Sequence, residues 1–188
     1  AQIWPWEWGA QGFDTIAQIF SALLILAIGL ILYKHIIVAL SAPFMSPVSE
    51  KIEAHVRGEN HTHRDTSNTE QLIRGVRINV RNLCLELLIT LPILLLNLIP
   101  LVGSIVATSL LFLTQSYYAG FGNMDYTLER HFKYRESIQF VKGHRGYAIG
   151  NGMVFMLFLL IPIVGIILVL PVSVTAATVQ TITLLDKQ

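Results

Sequence analysis

The 188-residue chain has little charge. Asp, Glu, Lys and Arg make up 13% of it, about half of the roughly 25% usual in soluble domains. The shortfall is concentrated in long uncharged runs, so it marks segments and not a uniform bias. The net charge of +1 argues against nucleic acid as the main partner. A single cysteine, Cys84, excludes an intrachain disulfide and a cysteine-built zinc site. At the edge of an apolar run it is expected to be a small buried residue. Ala1 to Gly12 carry no basic n-region, so a secretory signal pattern is absent. No nucleophile motif, P-loop or dinucleotide fingerprint occurs. These absences predict a chain that is not an enzyme and holds no cofactor. Any transport would be channel-like, gradient-driven or powered by a partner.

What the chain does have is three long apolar runs, 15–33, 87–123 and 146–185. A spanning helix needs about 20 apolar residues to cross roughly 30 Å of hydrocarbon. The first run fits one spanning helix over 13–42, stopped by Pro43, since the residue before a proline disfavours helix. The other two are nearly twice one crossing. As straight helices they would each be about 55–60 Å long. Each carries a breaker near its middle, Ile99-Pro100-Leu101-Val102-Gly103 and Ile161-Pro162-Ile163-Val164-Gly165. Proline removes a backbone donor and glycine relaxes the chain, which suits a tight turn. The pattern predicts two helical hairpins, 83–121 and 147–185, turning at Pro100, Gly103, Pro162 and Gly165. Their arms would be about 16 residues or about 24 Å, too short for a full crossing. Two proline-kinked single spans are the alternative. The motif recurs after 62 residues, as in an internal repeat that places broken helices in the membrane.

The segments 43–82 and 122–146 hold most of the Lys and Arg. Hairpins put both on one side of the membrane, and the positive-inside rule makes that side cytoplasmic. Kinked single spans would divide them between the two sides. Trp4, Trp6 and Trp8 would then form an interfacial aromatic belt on the far side. The predicted fold is an all-α integral membrane protein forming one domain: one long spanning helix and two half-penetrating hairpins.

An ordered set of short motifs resembles the CysZ sulfate permeases, a bacterial family sharing its domain with the eukaryotic etoposide-induced proteins. Ala42-Pro43-Phe44 with Glu50-Lys51-Ile52-Glu53 resembles the family's segment after a transmembrane helix. The two Ile-Pro breaks resemble its hairpin turns. Asp125-Tyr126 with Glu129 and His131 resembles its Asp-Tyr-Pro segment, although Thr127 stands in place of the proline. The stretch Pro171 to Thr178 resembles part of its second hairpin. The resemblance implies a multi-pass protein of the bacterial inner membrane that forms homo-oligomers. It also implies entry of sulfate, or a similar oxyanion, for cysteine synthesis. Family members carry a further upstream helix preceded by a Gly-Leu-Arg motif associated with sulfate. This chain is expected to begin after that point, so that motif has no counterpart among its residues.

Arg74, Arg77 and Arg81 are spaced for one helical face. Their planar donors suit an oxyanion vestibule. The same face would equally suit lipid phosphates at the interface. Asn79 and Asn82 lie beside it as neutral donors. Glu86, at the start of an apolar run, is either a pathway residue or an interfacial carboxylate paired with a nearby arginine. Asn97, Ser104, Thr108, Ser109, Thr114 and Gln115 either line a path for a hydrated anion or bond between helices. Ser173, Thr175, Thr178 and Thr181 are read in the same two ways. His61-x-His63, near His55, Glu59 and Asp65, lacks a fixed third ligand and reads as a solvated linker, with no metal expected. His131 and His144 are expected at headgroup level.

Overall fold

The computed structural model describes residues 6–58, 67–99, 102–161 and 164–187. Among these every regular element is helical: α1 (Trp6–Arg57), α2 (Asn68–Leu95), a 3-10 turn (Leu96–Leu98), α3 (Val102–His131), α4 (Tyr134–Gly143), α5 (Arg145–Leu159) and α6 (Val164–Leu185). Three stretches are long and apolar enough to cross a membrane: Asp14–Arg57, Thr69–Leu98 and Leu168–Leu185. The outer surface agrees with that use. Ile25, Leu40 and Phe44 are each more than 70% exposed, a cost in water that lipid removes.

Pro43 does not stop the first helix. α1 continues through Pro43 and Pro47 for 52 residues, about 78 Å of helix. Each proline removes one backbone bond and crowds the preceding turn. Tertiary bonds hold this stretch from outside. The Tyr126 hydroxyl donates to the Val38 carbonyl at 2.5 Å, and Arg130 Nη1 donates to the Ser46 carbonyl at 3.4 Å. The second difference is length. α2 and α3 have 28 and 30 residues, not about 16, because helix extends well past the uncharged run at both ends. Ser67 starts α2 by accepting from the Glu70 amide at 3.2 Å, an N-cap.

α2 and α3 lie side by side in opposite directions. Arg74 near the start of α2 meets Asp125 and Glu129 near the end of α3. At the other end Gly103 packs against the 3-10 turn. A Cβ on Gly103 would fall 1.9 Å from the Leu96 carbonyl oxygen and 2.7 Å from Ile99 Cβ. Glycine is therefore required for the chain to reverse there. Pro100 and Pro162, the other expected turn residues, lie outside the described residues, as do Trp4, His61 and His63. Gly165 opens α6.

α5 is pressed onto α3. Cβ atoms on Gly120 and Gly152 would fall 1.8 Å from the Ala148 carbonyl oxygen and 1.7 Å from that of Ser116. Asn151 joins three helices, accepting from Asn123 Nδ2 at 2.8 Å and donating to the Ser173 carbonyl at 2.9 Å. Cys84 is exposed, not buried. It shares the outer face of α2 with Val80 and Leu88, four residues to either side and also exposed, so an apolar character leads here to the lipid-facing side.

Candidate functional site

α1 carries two ionisable residues inside its apolar stretch, Lys34 and His35, and both are buried. Their partner is Glu86 of α2, which is fully buried. Lys34 Nζ donates to Glu86 Oε1 at 2.5 Å and to the Gln115 carbonyl of α3 at 3.1 Å. His35 Nε2 bonds the other carboxylate oxygen at 2.9 Å, and its Nδ1 lies 3.3 Å from Asn79 Oδ1. Glu86 is thus not an interfacial carboxylate paired with an arginine. The packing of α1 against α2 brings it a lysine instead. An ion pair this deep is costly unless hydrogen bonds complete it. Here the carboxylate uses both oxygens and the ammonium two of its three donors among the described residues.

Above this cluster, toward the reversal between α2 and α3, lie two adjoining cavities. One of about 320 Å³ has mostly apolar walls, such as Leu30 and Phe112, with Asn97, Thr108 and Gln115 as its polar groups. A second of about 190 Å³ is lined by Asn97 and Ser104 with residues of α1. Asn97 also donates to the Leu94 carbonyl at 3.1 Å. Asn97, Ser104, Thr108 and Gln115 are thus the polar groups in mainly apolar walls, and the Gln115 carbonyl joins them to Lys34, which itself lines neither cavity. Ser109 lies apart, donating to the Ile105 carbonyl within its own helix at 2.9 Å.

At the opposite end, a second network ties α1, α3 and α6. Glu53, buried, accepts from Arg130 Nη2 at 2.9 Å, Arg57 Nη1 at 3.1 Å and His131 at 2.6 Å. Ser49, Thr127 and Thr178 form a ring of hydroxyls 2.9–3.0 Å apart. Thr127, the departure from the Asp-Tyr-Pro pattern, supplies a hydroxyl that proline lacks. Thr175 bonds within its own helix to the Pro171 carbonyl at 2.7 Å. The Ser173 and Thr181 hydroxyls are buried without a hydrogen-bond partner among the described residues.

The three arginines of the expected vestibule separate. Arg74 is buried and both its terminal nitrogens are engaged: it donates to Asp125 Oδ1 at 3.2 Å, Ser137 Oγ at 2.5 Å, the Glu129 carbonyl at 3.2 Å and the Phe132 carbonyl. It staples α2 to the α3–α4 corner. Arg77 is exposed and sits 4.5 Å over the Tyr134 ring, a cation–π contact. Arg81 is half-buried, donates to Asn82 Oδ1 at 2.8 Å and lines a separate cavity. Spacing alone cannot separate them, because burial changes across a single helical turn. Lys34 is the residue that sequence reasoning passes over. Its signal is an ionisable side chain inside an apolar stretch.

Beside Arg74, burial pushes the Glu129 carboxyl up to about 7. The Ser46 hydroxyl, Arg130 and Arg74 offset this only in part, and Asp125 adds to it. The raised value means that the folded chain holds the proton more tightly than the unfolded one. Glu129 therefore leaves stability untouched below its ordinary pKa of 4.5. It lowers stability progressively as pH rises from there through about 7. Glu129→Gln should match the native protein at pH 4.5 and exceed it at pH 8, by up to about 3 kcal/mol. Thermal unfolding in detergent at the two pH values reads this directly, and equal stability at pH 8 would contradict the buried proton.

The family model described as Sulfate transporter CysZ/Etoposide-induced protein 2.4 matches residues 1–170. No curated protein matches the chain.

Proposed function

The chain belongs to the sulfate transporter CysZ/etoposide-induced protein 2.4 family, and we propose that it is a permease for sulfate or a related oxyanion. In this reading it serves the bacterial inner membrane, supplies sulfate for cysteine synthesis and works as a homo-oligomer. The basic segments face the cytoplasm, in line with the positive-inside rule. The two hairpins enter from that side and turn at the Ile-Pro breaks. The 15 residues of α5 support a partial entry for the second hairpin, since about 22 Å of helix falls short of the hydrocarbon thickness.

The observation that carries the reading is Lys34. It is a buried ionisable residue inside an apolar stretch, bonded to the carbonyl of Gln115, which lines the cavity that runs toward the hairpin turn. Ionisable residues placed this way mark ion pathways. With Glu86 it forms a neutral pair at rest, which limits its cost. The ammonium is 1% exposed and lines neither cavity, so in this reading an anion arriving past Asn97 and Gln115 meets it only when the helices part, and Arg81 lies outside this approach. Arg74 and Arg77 hold the frame in this reading.

Sulfate flux into proteoliposomes tests it. The double variant Lys34→Met/Glu86→Leu removes both charges together, which buried pairs tolerate. It should fold and lose flux at least about tenfold, one charge-assisted contact being worth about 1.5–3 kcal/mol. Native flux in the double variant would remove Lys34 from the path. No flux from the native protein would favour a non-transporting membrane scaffold built on the same hairpins.

A further inference from the structure

A cavity of about 510 Å³ opens between α2, α3 and the α4–α5 corner. It is separate from the two cavities that Asn97 lines. Three cations line it, Arg81, Lys142 and Arg145. No carboxylate lines it among the described residues. Arg81 gives one donor to Asn82, and Arg145 Nε donates to the Lys142 carbonyl at 3.1 Å. Those bonds fix side-chain positions and leave the positive charge uncompensated. Three like charges around one opening repel each other and call for an anion.

The walls change character in one direction. On α2, Arg81 is followed one and two turns on by Leu85 and Ile89. On the α4–α5 wall, Lys142 and Arg145 are followed by Ile149. On α3, which runs the other way, Tyr117 and Tyr118 stand level with the cations, and Leu113 lies a turn deeper with Thr114 as the one hydroxyl there. The cationic end thus faces the basic side of the bundle, and the apolar end faces the hairpin turns. Tyrosines at the border match the residue preferred at the headgroup level. A lone tetrahedral oxyanion would fill only the upper part of such a slot and leave the apolar part empty.

We propose that this cavity is a binding site for an anionic phospholipid. The phosphodiester is held by Arg81, Lys142 and Arg145, and one acyl chain lies along Leu85, Ile89 and Ile149. Basic pockets between membrane helices on the cytoplasmic side suit such headgroups. The bound lipid bridges α2 to the α4–α5 corner, so it braces the bundle. This site does not depend on what the protein transports.

The test uses the full chain, delipidated in a mild detergent. Thermal unfolding is followed during titration with phosphatidylglycerol, phosphatidylcholine or sodium sulfate at matched ionic strength. Phosphatidylglycerol should raise the melting temperature, and the other two should not. Lys142 and Arg145 are exposed, so Lys142→Gln/Arg145→Gln should fold normally without lipid. That variant should bind phosphatidylglycerol roughly thirtyfold more weakly, about fivefold per charge. Ile149→Ser should weaken the long-chain lipid and leave a soluble glycerophosphate probe unaffected. A phosphatidylglycerol response unchanged in the double variant overturns the site. An equal response to phosphatidylcholine overturns the anionic headgroup. An equal response to sulfate, lost in the double variant, overturns the lipid and makes the cavity a plain anion site.

Discussion

Glu86→Leu alone should destabilise the protein by about 3–5 kcal/mol, the cost of leaving one member of a buried ion pair without its partner. Lys34 is 1% exposed and has no route to water once the carboxylate is gone. It would keep the Gln115 carbonyl, a neutral acceptor that does not balance its charge. Lys34→Met should cost less, because Glu86 retains its hydrogen bond to His35 at 2.9 Å. The double variant Lys34→Met/Glu86→Leu should recover most of the loss. The two single changes are then strongly non-additive, by about 3 kcal/mol, as expected for residues in contact. Thermal unfolding of the four proteins in one detergent completes the cycle. Additive losses would mean that the pair does not exist as described. The same double variant separates structure from transport: if it folds as the native protein does and still loses sulfate flux, the charge serves permeation and not stability.

The class of the molecule was legible because composition alone forces it. Uncharged runs longer than a membrane crossing leave few alternatives, and helices satisfy every backbone group without water. The ordered Ile-Pro and Asp-Tyr motifs pointed to the family that the match over 1–170 shows. What composition does not encode is which helix supports which. The rule that proline ends a helix failed at Pro43 because Tyr126 and Arg130, more than eighty residues away, hold the α1 backbone near it. The arginine stripe was correct as a spacing and uninformative as a site. One turn of α2 takes Arg74 into a cluster of carbonyls and Asp125, and the next leaves Arg77 on an aromatic ring. Glu86 was recognised as exceptional. Its partner was not, because the register of α1 against α2 appears only in the packed bundle. Asn97, Thr108 and Gln115 were visible as a list of polar residues but not as the lining of one cavity, nor was the bond from the Gln115 carbonyl to a lysine.

The closest helix contact in the bundle also had a sequence signal, and it carries the second large effect. Ser116 and Gly120 on α3, and Ala148 and Gly152 on α5, repeat small residues at a spacing of four. In membranes that pattern lets two backbones approach. Gly152→Ala should therefore destabilise the protein by about 3 kcal/mol, the upper end for overpacking. A Cβ there would fall 1.7 Å from the Ser116 carbonyl oxygen, which is backbone and cannot rotate away. Gly152→Leu should prevent α5 from seating at all. The internal control is two residues away. A Cβ on Gly150 meets nothing within 4 Å, so Gly150→Ala should be neutral or stabilising by up to about 1 kcal/mol through helix propensity. Both changes replace glycine with alanine in one helix, so propensity and the unfolded state cancel between them. The difference measures the packing of α5 on α3 alone. Because Asn151 lies between the two positions and bonds both Asn123 and Ser173, displacing α5 should also break the link to α6. The loss from Gly152→Ala should accordingly shrink when Asn151→Ala is already present, whereas Gly150→Ala should be indifferent to it.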